Sequence, residues 1–302
     1  MEQPKVFIIL LNYNGYEDTI QCMESLEKID YENYEVVIVD NKSTNESLKK
    51  LTEYIEEHKT SFRKKHTLIP SENNHGFAAG NNIGIKYALK NNCDFVVLIN
   101  TDTLVEKDFL KELIIPFENS DDVGISTGKI YYESKRDTFW FAGGTFNEER
   151  FYGSHIGQGE KDLGQYDEQK NISFCTGCLM MIKREVLEKV GFLSEEYFMY
   201  YEDVDYCLKV KESGYKIAYA PKAIIYHKVS ASTGGEESPF AIEWNTRNRL
   251  RLMRKFKDSM TKMQYIKRMS FFYITRVIVL GKYLLKGKVD LIKAVAKGIR
   301  KK

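Results

Sequence analysis

Apolar and polar positions alternate in blocks along the first 120 residues. Short apolar runs at residues 6–11, 36–39, 67–69 and 95–99 are separated by longer stretches of helical character at 16–28, 46–57, 78–90 and 107–117. Brief runs rich in β-branched residues, alternating with helical stretches, predict a parallel sheet with covering helices. Ligands of such sheets gather at the carboxyl ends of the strands, so the polar residues after each run carry the candidate chemistry.

Beyond about residue 126 the rhythm changes. Residues 129–175 are rich in Gly and aromatics and predict strands and loops, with 147–169 as a polar surface excursion. Short helices are predicted at 183–190 and 202–213, the second stopped by Gly214, followed by strand-like runs at 217–219 and 224–226. From Trp244 onward the pattern is helical. Ile266, Met269, Tyr273, Val277, Leu280 and Leu284 recur at steps of three and four and form one apolar stripe.

A length of 302 residues with 43% hydrophobic and 29% charged positions supports one sizeable core and excludes wholesale disorder or a disulfide scaffold. Five scattered cysteines fit a reducing compartment. The opening apolar run is too short for a signal peptide, and residues 271–285, interrupted by Arg276 and Lys282, are too short and charged to span a bilayer. A cytoplasmic protein is expected, peripheral at the inner face of the cell membrane or free of it. The net charge of +2 conceals a split: residues 247–302 hold 18 Lys and Arg against Asp258 and Asp290, whereas the remainder holds 27 basic and 41 acidic residues. Such a basic tail implies an anionic partner.

The strand ends read Asn12-Tyr13-Asn14-Gly15, Asp40-Asn41-Lys42-Ser43, Asn74-His75-Gly76-Phe77-Ala78-Ala79-Gly80-Asn81-Asn82 and Asn100-Thr101-Asp102-Thr103. Asn and Asp here also cap helices and Gly also makes turns. Four such loops in register favour a nucleotide site, since small turn residues let backbone N–H groups approach a phosphate. No Gly-rich dinucleotide fingerprint or phosphate-loop Lys follows the first strand, which argues against a dehydrogenase and a phosphate-loop NTPase. Asp102 suits a Mg²⁺ or Mn²⁺ shared with a diphosphate, or else caps a helix starting near Glu106. In Tyr200-Tyr201-Glu202-Asp203-Val204-Asp205, three carboxylates within four residues fit a helix start with one carboxylate turned to proton transfer, its pKa raised by the aromatic residues beside it. His227 precedes the small-residue run 230–235 and gains meaning only if it meets Asp102 in space. Cys175-Thr176-Gly177-Cys178 lacks the second pair a zinc site needs, so both cysteines are read as small apolar residues. Trp140 and Tyr200 are candidates to stack on a sugar or to fill the core.

These strand-end motifs, with residues 176–184 and 191–208, resemble family 2 glycosyltransferases, and most of all their bacterial and archaeal rhamnosyltransferase-like branch. The resemblance covers roughly residues 5–255 and implies a GT-A fold: a mostly parallel Rossmann-like sheet flanked by helices, here with a C-terminal helical extension. It implies a nucleotide-sugar half (1–125), an acceptor and catalytic half (126–240) and a basic amphipathic tail (241–302). It further implies donor binding by Asn12, Asn14, Asp40, Asn74, Gly76, Asn81, Asn100 and Asp102, with Asp40 on the nucleoside and Asp102 on the diphosphate. The divalent cation, Mg²⁺ or Mn²⁺, falls to Asp102 and His227, and the general base to Asp203. The family's acidic motif reads Asn100-Thr101-Asp102 here, leaving one carboxylate. The implied reaction is inverting transfer of a sugar, from dTDP-rhamnose or a UDP-sugar, to a glycan or lipid-linked glycan of the cell surface. A sugar-nucleotide nucleotidyltransferase would want a basic, Gly-rich loop after the first strand, which residues 12–16 lack. A non-catalytic scaffold or nucleic-acid-binding protein would rest on the tail alone. The tail's own reading is contact with a membrane surface or packing on protein.

Overall fold

The computed structural model describes residues 3–229 and 238–300, which divide into two compact units. The first holds residues 1–145, 155–198 and 202–229; the second holds 146–154, 199–201 and 230–302.

The chain opens with β1 (Val6–Asn12), α1 (Tyr16–Leu26), β2 (Tyr34–Asp40), α2 (Ser47–His58), β3 (His66–Pro70), α3 (Phe77–Lys90) and β4 (Phe95–Ile99). There follow β5 (Thr103–Val105), α4 (Phe109–Asn119), β6 (Val123–Tyr132) and β7 (Lys135–Phe141). Then come β8 (Gly144–Asn147), β9 (Tyr152–His155), β10 (Lys170–Ile172), β11 (Leu179–Lys183), α5 (Arg184–Val190), α6 (Glu202–Glu212) and β12 (Lys216–His227). The main sheet runs β10-β12-β6-β11-β4-β1-β2-β3, with β5 on β12 and β7 on β6. β8 and β9 form a separate two-stranded sheet.

The half from β4 to β3 is wholly parallel, and its strands are buried as continuous apolar runs; Val6 through Leu10 have no exposed surface. β11 then runs antiparallel to both β4 and β6, while β12 runs parallel to β6. The expected GT-A-type sheet is therefore present, with one reversed strand at its centre. The apolar runs at 217–219 and 224–226 are not two strands. They belong to one strand, β12, whose register shifts between Ala220 and Ile224. Part of the polar excursion is anchored rather than free. Lys129, 3% exposed, reaches Asp162 at 3.3 Å and Asp167 at 2.5 Å.

α3 carries the loop that closes the strand ends. Asn82 donates to the Leu193 carbonyl (3.0 Å) and to Glu195 Oε1 (2.8 Å), and its own Oδ1 accepts from Leu193 N–H (3.2 Å). Phe77 N–H donates to the Phe198 carbonyl at 2.8 Å. Gly76 sits at φ +91°, and a Cβ there would lie 2.0 Å from the Phe198 carbonyl oxygen. Only glycine meets both demands.

In the second unit α7 (Pro239–Lys255), α8 (Lys262–Leu285) and α9 (Val289–Arg300) pack on one another. Ser238 caps α7, and Thr261 with Gln264 forms a capping box at α8. Phe272, fully buried, marks the inner face of α8. Of the apolar stripe, Ile266, Tyr273, Val277 and Leu284 are exposed, so it is the outer face of the helix.

Gly76→Ala is expected to cost about 3 kcal/mol or more, from overpacking against Phe198 and from the backbone conformation. Thermal denaturation followed by circular dichroism should show Tm falling by roughly 5–10 °C; an unchanged Tm would contradict the close approach.

Candidate functional site

The strand ends lie level with one another. Asn12 pairs with Asp40 at the ends of β1 and β2, and Asp40 with Pro70 at the end of β3. Asp40, 1% exposed, accepts from Asn12 Nδ2 (2.7 Å), Ser43 Oγ (2.6 Å) and Ser43 N–H (3.0 Å). Asn12 is fully buried and also accepts from Thr19 Oγ1 at 2.9 Å. Asn14, at φ +58°, accepts through Oδ1 from the N–H groups of Thr44 (2.8 Å) and Asn45 (3.2 Å). These side chains brace the first two loops against each other. Asn41 Nδ2 ties in the third loop by donating to Asn74 Oδ1 (3.0 Å) and the Gly76 carbonyl (3.2 Å). Asn81 is turned back on its own helix, donating to the Phe77 carbonyl at 3.0 Å.

Asp102 does not cap a helix. The chain continues from it into β5, and α4 starts only at Phe109. β5 pairs antiparallel with β12, setting Thr103 opposite His227, and Lys228 N–H donates to the Asp102 carbonyl at 3.0 Å. The two candidate ligands thereby meet, with His227 Nε2 3.1 Å from Asp102 Oδ1. Burial opposes the Asp102 charge, but the hydrogen bond and positive charge of His227 outweigh it and hold the carboxyl below its usual pKa. For His227 burial also opposes charge; the Cys178 sulfur and the Asp102 carboxylate prevail and push the ring up to about 10. Trp140 packs edge-on against His227 at 4.6 Å between ring centres, so its indole serves this imidazole. His227 Nδ1 is buried without a hydrogen-bond partner. The small-residue run after His227 lies outside the described residues.

Asp203 stands at the start of α6 and is half-buried. Its Oδ2 accepts from Gly177 N–H at 3.2 Å and its Oδ1 from Val204 N–H at 2.8 Å. Burial raises its pKa from 3.8 to about 6 against these hydrogen bonds. Its two acidic neighbours point elsewhere. Glu202, 5% exposed, has its pKa pushed well up by burial and by the Asp203 charge. Asp205, fully buried, accepts from Tyr197 OH at 3.4 Å. One short loop links the two halves of the site. Residue 177 holds Asp203, and the Cys178 carbonyl accepts from Asn100 N–H at 3.1 Å. Residues 177 and 178 thus tie Asp203 to the chain just after β4, two residues before Asp102. Cys175 and Cys178 are buried free thiols within it, as their spacing implied.

The chemistry of the Asp102–His227 pair suits a divalent cation: one carboxylate oxygen and one imidazole nitrogen converge, and the Asn100 side chain two residues away is only half-buried. Among the described residues no group of three His, Cys, Asp or Glu forms a cation cage. Further ligands would have to come from a diphosphate and water. Sequence reasoning did not single out Ser43, Thr44, Thr19 or the side chain of Asn41 as braces. Their signal, polar residues beside a strand end, is shared with any turn. Tyr200 and Tyr201 adopt φ of +67° and +76°, and Asn248 Nδ2 donates to the carbonyls of Met199 (2.8 Å) and Tyr200 (2.9 Å). Local sequence carries no sign of that support.

The chain is 27% identical over 260 residues to a low-salt glycan biosynthesis hexosyltransferase, Agl10, of Haloferax volcanii, covering 85% of this chain and 78% of the relative. It is 23% identical over 257 residues to the dTDP-rhamnosyl transferase RfbF of Shigella flexneri, covering 83% and 80%. The mannosyltransferase PcManGT of Pyrobaculum calidifontis, solved with GDP-Man and Mn²⁺, matches with a TM-score of 0.59 at 17% identity, over 99% of this chain and 74% of that one. GalNAc-T7, solved with UDP, GalNAc and Mn²⁺, matches with a TM-score of 0.64 at 16% identity, over 83% of this chain; the matched part spans about half, 48%, of the GalNAc-T7 chain. These likenesses establish the GT-A fold. The model of "Glycosyl transferase family 2" matches residues 7–191, more than half of the chain, and this chain belongs to that family.

Proposed function

We propose that the protein is an inverting, metal-dependent glycosyltransferase that moves a sugar from a nucleotide-diphosphate donor, dTDP-rhamnose or a UDP-sugar, to a hydroxyl of a glycan or lipid-linked glycan in cell-surface polysaccharide synthesis. The observation that carries this reading is that residues 177 and 178 bond both Asp203 and Asn100, two residues before the Asp102 that meets His227. The relatives named for hexosyl and dTDP-rhamnosyl transfer support the donor class.

In this reading residues 1–125 hold the donor, 126–240 the acceptor and the base, and 241–302 form the tail. The braced loops at Asn12, Asn14, Asp40, Asn74 and Gly76 present polar groups to the nucleotide, while Asn81, buried in α3 and bonded to the Phe77 carbonyl, supports the third loop rather than touching the donor. Asn100 and Asp102 face its diphosphate. Asp102 and His227 would hold a divalent cation, Mg²⁺ or Mn²⁺, which when bound would supply positive charge beside the leaving diphosphate. Asp203 removes the proton of the acceptor hydroxyl as its oxygen attacks the anomeric carbon from the opposite face, and a single displacement inverts that carbon. A pKa near 6 leaves Asp203 ionised at neutral pH yet basic enough to accept a proton.

The tail in this reading lies on an anionic membrane surface at the cytoplasmic face. Ile274, Val277, Ile278, Leu284 and Leu285 on the outer face of α8 are between 54% and 90% exposed, and Lys262, Lys282 and Lys286 are exposed on the same helix and just beyond it. Among the described residues no helix is long and apolar enough to cross a membrane. Exposed apolar residues flanked by lysines suit contact with anionic headgroups.

Asp203→Asn should lower transfer by roughly 10²–10⁴-fold while leaving donor affinity nearly unchanged. Since the base must be ionised, wild-type kcat/KM should rise about tenfold per pH unit below 6 and level off above it. Near-wild-type turnover by the variant, or a profile flat from pH 5 to 7, would refute the base. EDTA should abolish transfer and added Mn²⁺ or Mg²⁺ restore it; full activity after exhaustive chelation would remove the cation from the reaction. The protein should float with phosphatidylglycerol vesicles at low salt, and Val277→Asp with Ile278→Asp should prevent it. Unaltered flotation of that double variant would exclude the α8 face, and loss of a dimer on sizing would assign the face to a second copy.

A further inference from the structure

Arg249 on α7 and Arg276 on α8 are a pair of inward cations that meet no carboxylate among the described residues. Arg249 is 9% exposed and Arg276 is half-buried. Both guanidinium carbons lie 5.4 Å from the ring centre of the fully buried Phe272. Arg249 also lies 5.6 Å from the ring centre of Tyr152. Among the described residues, no group hydrogen-bonds the buried Nε atom of either arginine. The polar contact of Arg276 is a long one, Nη1 to Thr246 Oγ1 at 3.5 Å. Among the described residues neither arginine meets a carboxylate.

That arrangement is out of keeping with the rest of the chain. Lys129, 3% exposed, is met by Asp162 and Asp167, and the buried carboxylate of Glu243 is met by Lys297 at 2.6 Å. Buried charges in folded proteins are paired, because removing an ion from water without compensation is costly. Burial depresses both arginines, and each is within the field of other groups; Arg276 and Arg150 add to the depression of Arg249, while the phenols of Tyr201 and Tyr152 oppose it. Two guanidinium forks held by stacking on one ring offer a double positive charge and several N–H donors to one ligand. Their match is a doubly charged tetrahedral oxyanion rather than a single carboxylate.

We propose that Arg249 and Arg276 form a binding site for a phosphate or diphosphate group, carried either by a lipid-linked ligand or by a soluble phosphorylated one. The site is built wholly from residues of the second unit and does not depend on the donor reading of the strand ends. Half-burial of Arg276 leaves the pair reachable, and Thr246 supplies a hydroxyl beside it.

Calorimetric titration of the full chain with inorganic pyrophosphate, in EDTA so that no cation recruits the anion to Asp102, tests this. Wild-type protein should bind, Arg276→Gln should weaken binding at least tenfold, and Asp102→Asn should change it less than twofold. Arg276→Lys, which keeps one charge but loses the fork, should weaken it to an intermediate degree, and it serves as the readout if the Gln variant does not fold. A second arm uses dodecyl phosphate: tighter binding than pyrophosphate, still sensitive to Arg276, identifies a lipid-linked source, and equal or weaker binding a soluble one. No measurable binding by the wild type, wild-type affinity in both Arg276 variants, or loss confined to Asp102→Asn would overturn the site.

Discussion

The hydrogen bond from the Asn100 amide to the Cys178 carbonyl depends on strand direction, and the site depends on it. An antiparallel strand begins where its neighbour ends. Because β11 runs against β4, with Leu179 opposite Ile99, the loop that precedes β11 lies over the carboxyl end of β4. Had β11 been parallel, residues 176–178 would sit at the far edge of the sheet, and Asp203 with them. β6 runs against β11 and β12 runs with β6, so β12 ends at the same edge and delivers His227 to Asp102. The reversal of β11 between two parallel neighbours, together with the antiparallel β5–β12 pairing, therefore gathers side chains from three distant parts of the chain.

The assembled charges carry a thermodynamic consequence. Asp203 and Glu202 both have pKa values raised in the fold, chiefly by burial. A carboxyl whose folded pKa exceeds its unfolded value favours the fold while neutral. That contribution is present below about pH 4 and, for Asp203, is lost as pH rises through about 6. Asp102 has the opposite sign: its depressed pKa adds stability above the unfolded value, lost as pH falls through the folded one. At neutral pH the fold thus holds an ionised Asp203 at a cost and an ionised Asp102 at a gain. A residue placed only for stability would not be held in the first condition, which is why Asp203 is more informative about function than its better-satisfied partner.

Much of the first half of the chain was legible because its strands are buried on both faces and appear as unbroken apolar runs. The strand-end loops followed from that layout, and the resemblance assigned them roles. What the pattern did not contain was direction. The β11 run reads the same whether the strand is parallel or antiparallel, so the meeting of Asp102 and His227 had to be left open. β12 looked like two strands because Pro221 and Lys222 interrupt its apolar run, although pairing with β6 resumes after a register shift. Asp102 looked like a cap because the three residues of β5 are too few to register as a strand. The bracing of Asp40 by Asn12 was hidden for a different reason: it joins residues 28 positions apart, beyond any local window.

The basic tail illustrates how composition conceals distinct roles. Eighteen cations against two carboxylates read as a single property, attraction to something anionic. The structure separates them by depth. Lysines such as Lys262, Lys282 and Lys286 are solvated, and their charges act collectively and weaken with salt. Arg249 and Arg276 sit against Phe272 on the inner side, where screening is weak and geometry decides. A lysine at either place would bury a strongly hydrated point charge, whereas a guanidinium tolerates stacking on an aromatic face and still presents its donors. The choice of arginine at these two inner positions therefore follows from burial against an aromatic ring, a constraint absent from the exposed positions, where Lys262, Lys282 and Lys286 stand beside Arg254 and Arg300.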